Sequence, residues 1–153
     1  MPTFSVVLLE GVQLSLEVPL ESVGYAYWAA EELEPVVIGG TRFICFGRTG
    51  VSGYVLLDMI TGAVVESHDE FESTSLVNTS LGKFSACVQG VIERFPFYSE
   101  DAGESEWESA SGDVVRLVRE ADAEAFIEGG FWHEMTSDIM MGAYATEAVL
   151  EVE

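Results

Sequence analysis

Near residue 75 the hydrophobic period of this chain changes, and the change sets the order of its secondary structure. Before that point, Val12, Leu14, Leu16 and Val18 alternate with Gln13, Ser15 and Glu17, the two-residue period of a half-buried strand. Glu10-Gly11 suits a turn, so an N-terminal hairpin is expected. Three further apolar β-type segments follow: residues 36–38 continuing into 43–46, then 54–57, then 63–65, punctuated by Gly39-Gly40, the glycines of residues 47–53 and Thr61-Gly62. Residues 25–35 read as a short helix or loop that Pro35 ends.

Beyond a polar link over 66–74 the spacing becomes helical. Leu81, Phe84, Val88, Val91 and Phe95 recur at three- and four-residue steps, with Cys87 and Ile92 beside them, and Asn78, Thr79 or Ser80 is available as the N-cap. Gly90 inside this helix costs about 1 kcal/mol relative to Ala, so tight packing is expected there. Residues 98–112 are acidic, small and turn-prone and suit an exposed loop. A second helix is expected over 113–127. A third is expected from near Gly130, carrying Phe131, Trp132, Met135 and Ile139, while residues 146–153 fit either a helix tail or an edge strand. Strands followed by helices, in 153 residues, predict a single α+β domain spanning 1–153.

The glycine-rich stretch ICFGRTGVSGYVLLDMITGAVV does not build a phosphate loop. Gly47, Gly50 and Gly53 lie three apart, no lysine follows, and the next segment reads as a strand rather than a helix. The three glycines are expected to supply positive φ in a turn. Asp58 is expected to serve the adjacent Thr61-Gly62 turn through bonds to backbone N–H groups, rather than catalysis. His68-Asp69-Glu70 lacks the paired cysteines of a zinc deaminase, and His133-Glu134 has Ser137 where a second histidine belongs. No GxSxG is present to activate a serine. No metal, cofactor or catalytic residue is therefore expected. The enzymatic alternative is a small hydrolase or ligand-binding enzyme with an apolar pocket near the glycine loop that sets Cys45 or His68 beside a carboxylate, and Cys45 or Cys87 could also pair with His68 in space. Trp28 and Trp132 are expected in the core.

Charge narrows the partners. Twenty-seven acidic residues oppose six basic ones, a formal net charge of -21. Residues 1–95 hold 12 acids and 4 bases, whereas 96–153 hold 15 acids and 2 bases, so the acidity concentrates towards the C-terminal end. Such a surface repels nucleic acid phosphates and favours basic partners. Trp107, flanked by Glu106 and Glu108, reads either as an interface anchor inside a charged rim or as a ring folded onto the core. The start of the chain has no basic region and meets Glu10 early, and no apolar run approaches the ~20 residues of a membrane span. Two cysteines make no disulfide framework. A cytoplasmic protein without membrane contact is expected.

Taken in order, these segments resemble the SUKH superfamily, or SMI/KNR-like proteins, and most closely its bacterial immunity-protein subgroup. The matching positions are Gly47, Gly53, Leu57, Asp58, Thr61, Gly62, Val64, Val77, Asn78, Ser80, Leu81 and Phe84, with Phe131-Trp132 in the C-terminal helix. The likeness is clearest over 36–140. It implies an α+β domain with a central, largely antiparallel sheet flanked by helices. It also implies a non-enzymatic protein that binds and neutralises a cognate toxin of a polymorphic toxin system, often a nuclease or nucleic-acid deaminase. A regulatory or scaffold protein of the same fold is the alternative. The expected contact surface is Glu100, Asp101, Glu104, Glu106, Trp107 and Glu108, followed by Asp69, Glu70 and Glu72.

Overall fold

Branched, aromatic and leucine side chains separated by turn residues form the strands, and the later segments of period 3.6 form the helices. The computed structural model describes residues 3–7, 13–23, 26–50, 53–68 and 73–144. β1 (Thr3–Val7) and β2 (Gln13–Glu17) pair antiparallel with Phe4 opposite Leu16, giving the N-terminal hairpin that the alternation predicts. The expected turn at Glu10-Gly11 and the ending from residue 145 onward lie outside the described residues.

β3 (Trp28–Ile38), β4 (Thr41–Thr49), β5 (Gly53–Asp58), β6 (Val64–Ser67) and β7 (Ser75–Asn78) form one antiparallel sheet in chain order. Gly39 and Gly40, with φ of 57° and 84°, close the β3–β4 hairpin in the left-handed region that tight hairpin turns require. The reading of 25–35 as a helix or loop is corrected here. Its alanines and glutamates favour a helix, but pairing with β4 overrides that preference. The ladder runs Trp28 to Arg48 and Ala29 to Gly47, then resumes at Glu34 opposite Cys45. Residues 30–33 bulge between these points, turning Leu33 inward and leaving Glu31 and Glu32 exposed. The polar link is also shorter than expected, because Glu66 and Ser67 complete β6, and residues 75–78 before the first helix add an unexpected strand, β7.

Of the three glycines expected to share a turn, Gly50 alone has a positive φ, 57°. Gly47 lies within β4, where a Cβ would sit 2.6 Å from the Tyr27 ring, so close packing rather than backbone freedom requires it.

α1 (Leu81–Glu93) starts at Ser80, whose Oγ accepts from the Lys83 N–H at 3.2 Å. α2 (Glu104–Ala121) begins nine residues before the expected start and ends before the expected 127. Residues 104–112 are therefore helix rather than loop. Trp107, Ser111, Val114 and Val118 make its inward stripe, and the small Ser111 hides that stripe from a hydrophobicity count. α3 (Phe131–Met140) follows Gly130 as expected. No helix of the described residues is long and apolar enough to cross a membrane.

One face of the sheet, carrying Ile44, Phe46, Val55, Leu57, Val64 and Val77, shares a single core with all three helices. Phe84 lies at its centre, with ring centroids 5.1 Å from Tyr27, 5.7 Å from Phe46, 6.3 Å from Trp132 and 6.4 Å from Phe131. Phe43, Cys45, Leu56 and Val65, at alternate strand positions, form a separate cluster on the other face. Trp132 is fully buried, whereas Trp28 is only half-buried at the start of β3, against expectation.

A buried polar junction locks the helices to the sheet. Asn78 at the end of β7 donates to Asp122 Oδ2 at 3.1 Å and accepts from the Trp132 indole at 2.9 Å. Asp122, at the C-cap of α2, also accepts from the Thr79 N–H at 2.7 Å and the Thr79 hydroxyl at 3.0 Å. Burial alone would raise the Asp122 pKa, but the bonds from Thr79 and Asn78 outweigh it and hold the carboxyl below its ordinary 3.8.

Candidate functional site

The acidic residues singled out by sequence fall into two groups. Glu100 and Asp101 are exposed in the turn before α2, and Glu104, Glu106 and Glu108 are exposed on its first turns. Carboxylates there are stabilised by the helix dipole, and Glu106 also accepts from the Gly103 N–H at 3.2 Å. Glu106 therefore has a structural task as well as a charge. Trp107 faces the core side of the same helix. Its ring is partly buried, 6.4 Å from Tyr98 between centroids, and lies against the backbone of Gly142, with an indole N–H that meets no acceptor among the described residues. Asp69, Glu70 and Glu72 lie outside the described residues. The structure thus brings together an acidic end of α2 with a tryptophan seated beneath it.

The pocket that would favour catalysis can be tested directly. A cavity of about 390 Å³ between β6 and α3 holds Glu66 and His68 with Ser75, Phe131, Glu134 and Met135, next to Gly50. Glu66 is almost fully buried, with Oε2 3.7 Å from His68 Nε2. Burial raises its pKa, His68 opposes the rise, and Glu134 adds to it. Ser75 bonds to this carboxylate, which therefore stands between hydroxyl and imidazole. A serine relay needs the imidazole in the middle. Neither cysteine serves. Burial raises the Cys45 thiol, which donates to the Gly47 carbonyl at 3.6 Å, and pushes Cys87 up to about 11. Such thiols are weak nucleophiles at neutral pH. Among the described residues, no group of three or more His, Cys, Asp or Glu side chains is placed to hold a metal ion. What the cavity offers is a buried carboxylate beside a half-exposed imidazole, with neither cysteine in its lining.

Asp58, the other candidate catalyst, caps its own turn. Its Oδ1 accepts from the N–H groups of Ile60 at 2.8 Å and Thr61 at 3.1 Å. Desolvation is the largest single influence and opposes ionisation, but the bonds from Ile60 and Thr61 together outweigh it and lower the pKa.

Two features escaped the sequence. Asp122 belongs to no motif in the sequence, and only the fold reveals three donors converging on it. Glu31, Glu32 and Glu34 fell in a segment read as helix or loop, yet β3 displays all three at the surface. The run EELE carries no two-residue period of its own, and the alanines before it favour a helix.

No curated protein and no solved structure matches the chain. A family model does, described as SUKH-4 immunity protein, over residues 10–138. That span includes the whole five-stranded sheet, α1, α2 and most of α3, with the Asn78–Asp122–Trp132 junction inside it. The chain belongs to the SUKH-4 immunity protein family.

Proposed function

We propose that this protein is a non-catalytic immunity protein of the bacterial cytoplasm, which binds a cognate toxin with a basic surface and blocks it. The observation that carries this reading is the SUKH-4 immunity match over residues 10–138. The charge supports it from an independent direction. Enzymes that act on nucleic acid, such as nucleases and deaminases, gather basic side chains around the phosphate path, and a -21 protein is steered towards such a surface. The exposed carboxylates Glu100, Asp101, Glu104, Glu106 and Glu108 are assigned as contacts, with Asp69, Glu70 and Glu72 as a second set. Trp107, partly buried against the core beneath the first set, is assigned as a contact with it.

Co-expression with a toxin domain encoded beside the gene tests the reading. Growth should be restored, and the two proteins should purify together. Continued killing at equal expression, with no complex recovered, would defeat the assignment for that pair.

A further inference from the structure

The bulge in β3 opens a feature that the toxin-binding reading does not use. A groove of about 970 Å³ follows this edge strand from Trp28 to Glu34. Leu20, Trp28 and Tyr54 give it apolar walls, with Leu20 44% exposed although large and aliphatic. Glu21, Glu31, Glu32 and Glu34 line the same space, all of them exposed. One cation answers them. Arg48 stacks 4.4 Å over the Tyr54 ring and donates to the Gly53 carbonyl at 3.3 Å, so its guanidinium is held by its own chain. Four carboxylates against one guanidinium leave the groove a formal charge of -3.

This combination selects its occupant. Phosphates are repelled, and a purely apolar segment would strip water from the carboxylates without replacing it. Lysine and arginine satisfy both requirements, because their methylene stems cover aromatic surface while their cations reach the carboxylates. The groove is lined by six of the seven strand residues from Trp28 to Glu34, which suits an extended segment. We propose that the β3 groove is the docking site for an extended, lysine- or arginine-rich segment of the protein partner. This deepens the immunity reading and rests on it, adding a contact separate from the start of α2.

The test uses the full chain in two arms. In the first, the ¹⁵N-labelled protein is titrated with an alternating Lys-Val peptide at about 0.1 M salt, where distant surface charges are screened. Shifts should concentrate on Trp28 to Glu34, Arg48 and Tyr54. The E31Q/E32Q/E34Q variant should bind about tenfold more weakly, while E120Q/E124Q/E128Q, which removes the same charge from exposed positions elsewhere, should change affinity less than about twofold. Equal weakening by both variants, or shifts spread over every acidic segment, overturns the groove. In the second arm, the same variants are titrated with the toxin domain. A similar loss confined to E31Q/E32Q/E34Q supports the groove, and wild-type affinity in that variant removes it while leaving neutralisation standing. A wild-type protein that binds no toxin defeats neutralisation, and the peptide arm still decides the groove.

Discussion

Gly90 is the residue where packing and propensity oppose each other most directly. A Cβ there would lie 2.7 Å from Leu117 Cδ1 and 2.8 Å from Cδ2, across the α1–α2 contact. Overfilling a packed site costs about 1–3 kcal/mol, against about 1 kcal/mol gained by replacing a helical glycine. Gly90→Ala should therefore lose about 1 kcal/mol in urea denaturation. With Leu117→Ala already in place the same change should gain about 1 kcal/mol, and simple additivity would contradict the contact. Asp122 carries the second residue-scale test. Its folded pKa lies below the ordinary 3.8, so its contribution is present above that value and disappears as pH falls through the folded one. Asp122→Asn should cost about 2–3 kcal/mol at neutral pH, because an amide cannot accept from all three donors. The gap from wild type should hold above about pH 5 and shrink below about pH 4. A pH-independent gap would mean that the carboxylate charge contributes nothing.

At the scale of elements, the β5–β6 hairpin separates turn chemistry from catalysis. Asp58→Ala removes two turn bonds and should cost about 1 kcal/mol, with toxin binding unchanged when both are measured on one preparation. Lost binding at full stability would reverse that assignment. This hairpin was legible in the sequence because its signals are local: two short apolar runs, an aspartate and a TG turn. α1 and α3 were legible for the same reason, with strong apolar faces and, for α1, a serine cap. The end of β3 over 36–38 was legible, but its first part was not, since the ladder there depends on β4 and nothing within the alanine and glutamate run announces that partner. The start of α2 was hidden by small residues on its buried face and by acids that read as loop. The candidate surface suffered in turn. The α2 acids were found for their charge, whereas the β3 acids needed the sheet to bring them beside Trp28 and Tyr54.

For the whole molecule, the dominant property is its charge, and the dominant constraint is a core that joins one sheet face to three helices. The core fixes the shape that family members share, and the charge biases which surfaces this member attracts. If steering matters, the association rate with the toxin domain should fall about tenfold or more between low salt and about 0.5 M, as the Debye length shortens. A salt-independent rate would remove the role given to the acidic surface. The central claim is that a toxin is stopped by being occupied. Its most direct test is to titrate the purified toxin domain's activity with this protein. Inhibition should be complete near about one equivalent, with both chains recovered intact from the complex. Full activity at large excess, or inactivation by a small fraction of an equivalent, would contradict it.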